Sequence, residues 1–176
     1  MTCLRKAKIE EAENILEFYR DVIDSIKGSK FNPKWNETYP HLEYIKTCIE
    51  KKELYVFAND DEIIACVVLN GSFNPEYENI AWSVNAKENE IVVIHTFAIS
   101  SKFMGKGIGR EIFSQIKNCA LENEKKAIRL DIIDGNVGAQ KVFEKFGFKY
   151  VDTVEMFHPA VGMEKFHLYE HDLTGK

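Results

Sequence analysis

The sequence has no apolar run near the roughly 20 residues a membrane-spanning helix needs. Its amino terminus, MTCLRKAKIEEAE, is polar and lacks the apolar core of a signal peptide. The expectation is therefore no membrane partner and a cytoplasmic location. A basic excess is also missing. Lys and Arg number 23 against 28 Asp and Glu, a formal net charge of -5, whereas nucleic-acid surfaces are basic; no nucleic-acid partner is expected. The mild acidic balance suits a cationic substrate such as an amine, and equally an ordinary cytosolic protein. Cysteine is sparse. Cys3, Cys48, Cys66 and Cys119 are scattered and form no C-x-x-C pair, so they read as reduced thiols, with neither a disulfide framework nor a metal site. There is no repeat, low-complexity tract or linker. Residues 1–176 thus read as one domain.

What is present is an ordinary globular composition, 45% hydrophobic and 29% charged, with strong periodicity. A short strand is predicted over Cys3–Ile9. Ala12, Ile15, Leu16, Tyr19, Val22, Ile23 and Ile26 recur at helical spacing and predict an amphipathic helix over Glu10–Ile26, ended by Gly28. An aromatic loop with Pro33 and Pro40 leads to a second helix, His41–Lys52. Leu54–Ala58 and Ile63–Leu69 read as a hairpin about the turn Asn59-Asp60-Asp61. After a looser stretch to Glu90, Ile91–Ile99 is an apolar run typical of a buried strand. A helix over Gly107–Glu122, a strand over Ala127–Ile133 and a helix over Asn136–Phe146 follow. Phe148–Phe157 and Glu164–Leu173 close the chain as an antiparallel hairpin, an element through which a homodimer would naturally form. Consecutive strands imply antiparallel pairing and the strand-helix-strand unit a parallel pair, so the sheet is mixed.

The segment from Ile99 to Arg110, ISSKFMGKGIGR, leaves a strand and opens a helix. Glycines at 105, 107 and 109 let backbone N-H groups turn inward, and the helix start adds unpaired donors and a positive dipole end. This is an anion cradle suited to phosphate. It is not a P-loop, because no Ser or Thr follows Lys106 in register, nor a dinucleotide fingerprint, because Arg110 stands where a third glycine belongs. The alternative is a glycine turn that binds nothing.

The stretch HTFAISSKFMGKGIGREIF resembles motif A of the GNAT acetyltransferases, a strand followed by R/Q-x-x-G-x-G/A and a helix. Met104, Gly105, Lys106, Gly107, Ile108 and Gly109 fill it in order. The block from Asp134 to Phe148 is similar to the family's N-x-x-A-x-x-x-Y-x-x-x-G-F segment. The resemblance implies an α/β (α+β) fold, a mixed, splayed seven-stranded sheet flanked by about four helices. It implies acetyl-CoA as cofactor, with the pantetheine arm along the backbone of Phe97, Ala98 and Ile99. The pyrophosphate would rest on Met104 to Arg110, with Asn136 and Phe143 against the arm. Two positions depart from the family. Met104 stands where Arg or Gln is usual. Phe143 replaces a Tyr that protonates the leaving thiolate, so no general acid is assigned.

The implied reaction is attack of an amine on the thioester. A primary alkylamine has a pKa of about 10 and arrives protonated, so a proton acceptor is needed. His95, two residues before Phe97, is one candidate; its alternative is a hydrogen-bonded core histidine. Glu37 and His41, in the loop that borders the acceptor site in the family, are the others. Trp35, Tyr39, Tyr77 and Trp82 are candidates to line the acceptor pocket, with core packing as the alternative for Trp82. The expected function is acetylation of a small-molecule primary amine by direct transfer. Its competitors are a catalytically silent acyl-CoA-binding module and an acetyltransferase acting on protein N-termini or lysines.

Overall fold

In the computed structural model, residues 3–59 and 62–175 are described. The turn expected at Asn59-Asp60-Asp61 is therefore described only at Asn59. Strand β1 (Cys3–Lys6) is shorter than the alternation suggested. The reason is local. Glu11 binds Arg5 at 2.6 Å and accepts the Lys8 N-H at 2.8 Å, which curls residues Ile9–Glu11 into a 3₁₀ turn. Helix α1 (Ala12–Ile26) buries Ala12, Ile15, Phe18, Tyr19, Val22, Ile23 and Ile26 on one stripe. Helix α2 (Leu42–Glu50) buries Ile45, Cys48 and Ile49. Strands β2 (Leu54–Asn59), β3 (Glu62–Asn70) and β4 (Ile91–Ile99) follow, then α3 (Ile108–Glu122), β5 (Ala127–Ile133), α4 (Val137–Lys145), β6 (Lys149–His158) and β7 (Gly162–Asp172).

The strands form one seven-stranded sheet in the order β1-β2-β3-β4-β5-β7-β6. The β4–β5 pair is parallel and the other neighbours are antiparallel. α1 and α2 pack on Val56, Cys66, Val68 and Ala98 on one face. On the other face, Ile112, Phe113 and Ile116 of α3 pack on Phe57, Val67, Val92, Ile94 and Leu130. Among the described residues no α-helix contributes to the third cluster. There Tyr77 of the 71–90 loop covers Ile91, Val93, Ile133 and Leu168. Burial of each such side chain contributes roughly 1.5–3 kcal/mol.

Two features position the site. The first is a bulge. Cys66 pairs Ala98 but Val68 pairs His95, so two steps on β3 face three on β4. Thr96 takes up the extra residue with φ 45. The slip flips the side chains beyond it. Val92 and Ile94 face α3, and after the bulge it is Phe97 and Ile99 that do, while Ala98 turns to α1 and α2. The second is a splay. β4 and β5 pair only from Ile91↔Ala127 to Ile94↔Leu130. Beyond that couple β4 stays on β3 as far as Ile99 and β5 stays on β7 as far as Ile133.

Candidate active site

The splay opens a cavity of about 1480 Å³. A site for one drug-sized ligand takes roughly 300–1,000 Å³, so there is room for two molecules side by side. One wall is the β4 edge. The residues from His95 to Ile99 have no strand partner on the β5 side, and they line the cavity. The Tyr19 hydroxyl donates to the Thr96 carbonyl at 2.8 Å and holds the bulge. Thr96 Oγ1 is buried and has no hydrogen-bond partner.

The glycine loop forms the floor of one end. Gly105 and Gly107 have φ of 77 and 81, where a side chain is strained. Gly107 caps α3 with no side-chain acceptor on the first turn. Among the described residues, the N-H groups of Gly105 through Gly109 find no acceptor. Gly109 has a different task. A Cβ there would lie 3.3 Å from Ile99 and from Phe146, so its absence lets α3 start close against β4 and α4. The Met104 and Arg110 side chains line the cavity. Those of Lys106 and Ile108 do not. Lys106 rests over the Phe103 ring at 5.5 Å, and Ile108 packs on the core. Phe143 lines the cavity and lies 5.9 Å from the Phe97 ring, with no hydroxyl in that position. Asn136 also lines it, but its Oδ1 is occupied. It caps α4 at Ala139 (3.4 Å) and accepts the Asn32 N-H (3.0 Å), which among the described residues leaves its amide nitrogen without a hydrogen-bond partner.

The other end is aromatic and lies under the α1–α2 loop. Trp35 and Tyr39 line it, with Phe31, Tyr44, Phe73 and Phe157. Burial raises the Tyr39 phenol to about 12 and pushes Tyr44 up further, so both stay neutral. Tyr77 and Trp82 are corrected: neither lines the cavity. Tyr77 is buried under the sheet, and the Trp82 ring packs on Arg129 at 4.1 Å and donates its N-H to the Tyr77 carbonyl. Glu37 and His41 are corrected too. Glu37 is exposed on a turn whose carbonyl Arg20 holds. His41 accepts the Tyr44 N-H at 3.2 Å as the N-cap of α2, which fixes its ring to the helix start.

His95 does line the cavity. Its Nε2 lies 3.0 Å from the Ser72 carbonyl and 3.1 Å from Asn70 Oδ1. Asn70 gives its amide N-H to Glu53 at 3.0 Å, so Oδ1 must be the atom turned to His95. Both neighbours are acceptors. Nε2 therefore carries the proton, and the lone pair of the neutral ring is on Nδ1.

Asp131 was not among the residues singled out from the sequence. It lines the cavity from β5, and Tyr77 donates to its Oδ2 at 2.7 Å. Burial raises its carboxyl above the usual range, against the opposing pull of His95, the Tyr77 hydroxyl and His158. A carboxylate inside the apolar strand AIRLDII was the available signal. His158, with its charged form disfavoured by burial, lies on the same wall.

Among the described residues no helix is long and apolar enough to cross a membrane. A family model described as the acetyltransferase (GNAT) family matches residues 19–148. The chain is 27% identical over 128 residues to the uncharacterized N-acetyltransferase YesJ of Bacillus subtilis (strain 168); the match covers 73% of this chain and 66% of that protein, so the chain spans somewhat under two thirds of the relative's length. Among solved structures, a GNAT-family acetyltransferase from Streptococcus agalactiae superposes with a TM-score of 0.79 at 19% identity, over 97% of this chain and 95% of that one. The YncA structure from Salmonella typhimurium, determined with its cofactor acetyl-CoA, superposes at 0.69 with 14% identity, over 100% and 96%. Those two likenesses concern the fold.

Proposed function

The chain belongs to the acetyltransferase (GNAT) family, whose cofactor is acetyl-CoA, and from that premise we propose that it acetylates the primary amine of a small molecule. The observation that carries the reading is the juxtaposition at the splay. An unpartnered β4 edge runs into the glycine loop, whose Gly105, Gly107 and Gly109 line one end of the cavity, and an aromatic chamber occupies the other.

The residues fit the cofactor. Peptide groups of Phe97 to Ile99 offer an edge for an amide-bearing arm, as a strand would. The N-H groups of Gly105 to Gly109, at the positive end of α3, suit a pyrophosphate. When bound, acetyl-CoA supplies a thioester whose carbonyl carbon is open to attack. The protein's own part is to exclude water, hold the amine and accept its proton. His95, with Nδ1 as its lone-pair atom, is one acceptor on the cavity wall. No phenol stands at Phe143 to protonate the departing sulfur, and no other residue is assigned that role. The α1–α2 loop supports a small acceptor over a protein one, because it docks on α4 through Lys30 O–Gly138 N (2.8 Å) and lines the chamber with Phe31, Trp35 and Tyr39.

The Phe143 position also supports a second reading, a silent acyl-CoA-binding module. Steady-state release of free thiol over a panel of primary amines separates the two. Turnover with at least one small amine is expected. Coenzyme A binding without thiol release for every amine would favour the silent module, and turnover only with peptide N-termini or lysines would sink the small-molecule reading.

A further inference from the structure

His95 and Asp131 are the first residues beyond the last β4–β5 couple, Ile94↔Leu130. They stand one on each strand at the vertex where the strands part. Both side chains belong to the sheet face away from α3. Ile94 and Leu130 face α3, and Val93 and Ile133 join the opposite cluster with Tyr77. A carboxylate on that face, inside a cavity and beside the apolar Val93, Ile133 and Leu168, is costly to keep charged. Only one neutral donor, Tyr77, is bound to it, through Oδ2. Its other oxygen has no hydrogen-bond partner among the described residues and the carboxyl group lines the cavity. Among the described residues no Lys or Arg pairs with it.

We propose that Asp131 is the anionic anchor for the ammonium group of the acceptor and the first acceptor of its proton, so that the enzyme selects cationic primary amines carried on an aromatic or apolar body. The inference rests on the acetyl-transfer reading for its chemistry and on the vertex geometry for its place. The step balances simply. The ammonium R-NH3+ gives one proton to the carboxylate, leaving R-NH2 and a neutral carboxyl. The freed nitrogen lone pair forms the new C-N bond as the C-S bond breaks and its electron pair leaves on sulfur; the second proton lost by that nitrogen passes to the thiolate, giving the amide and a free thiol. The body of the amine would lie against Phe31, Trp35, Tyr39 and Phe157. Tyr77 is a positioning residue. Its O-H fixes the carboxylate's rotation and favours its charged form. The titratable groups around Asp131 are Tyr77 from the 71–90 loop, His95 from β4, His158 from β6 and Tyr39 from the α1–α2 loop.

Calorimetric titration of the whole protein with 2-phenylethylamine and n-hexylamine, each against the matching alcohol, tests this without turnover. At pH 8 the wild type should bind each amine at least tenfold more tightly than its alcohol. Asp131→Asn should erase the difference while leaving alcohol and coenzyme A binding unchanged. The preference should fade as pH falls through the carboxyl's titration. Tyr77→Phe, which removes a donor to the charged form, should shift that loss to higher pH, an effect a purely structural tyrosine would not produce. An Asp131→Asn protein that keeps the preference overturns the proposal, as does a wild type that binds neither amine or does not discriminate. Failure to bind coenzyme A would instead sink the acetyl-transfer reading and leave ammonium capture standing.

Discussion

Asp131 should act in opposite directions on stability and on activity. Its carboxyl is raised in the folded protein, so the fold holds a proton that the unfolded chain releases at the same pH. That contribution favours folding in acid and is lost as pH rises through the folded value. At neutral pH the charged group is a burden on the fold. Asp131→Asn should therefore raise Tm at pH 7, with the gain shrinking as pH falls toward the ordinary carboxylate range, while kcat/KM for an amine falls about 100-fold. Thermal melts across pH together with steady-state kinetics would reveal the split; a variant that loses both would mark Asp131 as structural. Gly107 is the second informative residue. With φ 81 it tolerates no Cβ without strain. Gly107→Ala should cost roughly 1–2 kcal/mol and weaken coenzyme A binding at least tenfold, as read by urea unfolding and calorimetry. Chamber and cradle should respond separately, since amine affinity measured without cofactor should be unchanged in this variant.

At the scale of elements, the contact between the α1–α2 loop and α4 depends on one missing methyl group. A Cβ on Gly138 would lie 2.7 Å from the Phe31 ring and 2.8 Å from the Lys30 carbonyl. The backbone cannot yield as a side-chain tip can. Gly138→Ala should push the loop from the helix, at a cost of about 1–3 kcal/mol. Hydrogen exchange should rise at residues 30–32, and KM for the amine should rise several-fold with coenzyme A affinity little changed. Unaltered exchange there would refute the view that this contact closes the chamber. The β4 bulge is the complementary device. It turns Phe97 and Ile99 toward α3 and Ala98 toward α1.

Across the whole molecule, β5, β7 and the 71–90 loop are tied by one buried ion pair. Arg129 reaches Glu170 at 3.0 Å and the Val84 carbonyl at 3.2 Å, while the Glu170 carboxylate accepts the Ser83 and Val84 N-H groups, each at 3.0 Å. Removing one partner strands the other charge. Glu170→Ala should cost about 3–5 kcal/mol in urea unfolding at pH 7. It should also weaken amine discrimination, because the same loop carries Tyr77 to Asp131. Ligand linkage acts at this scale too. Coenzyme A at 100 times its Kd should add about 2.7 kcal/mol, a rise in Tm of roughly 5–10 °C for a chain of this size. With coenzyme A bound tenfold more weakly, Gly107→Ala should lose about half of that rise at the same ligand concentration.

Much of this protein was determined along the chain. Periodicity located the helices and strands to within a few residues, and Ile91–Ile99 and Ala127–Ile133 without change, because apolar spacing is set by the face each element buries. The glycine loop was legible for a similar reason: positive φ and unpaired helix N-H groups are local properties. Other features needed the tertiary structure. The insertion of β7 between β5 and β6 is a long-range pairing that no local pattern encodes. His41 and Glu37 lay in a promising loop, yet a cap and an outward turn removed them from the cavity. Tyr77 and Trp82 turned out to pack against the sheet. Asp131 read as one polar letter in an apolar strand. Only the parting of β4 from β5 just after Ile94 and Leu130 made it a carboxylate facing a cavity, because that is where the sheet stops satisfying its own edges.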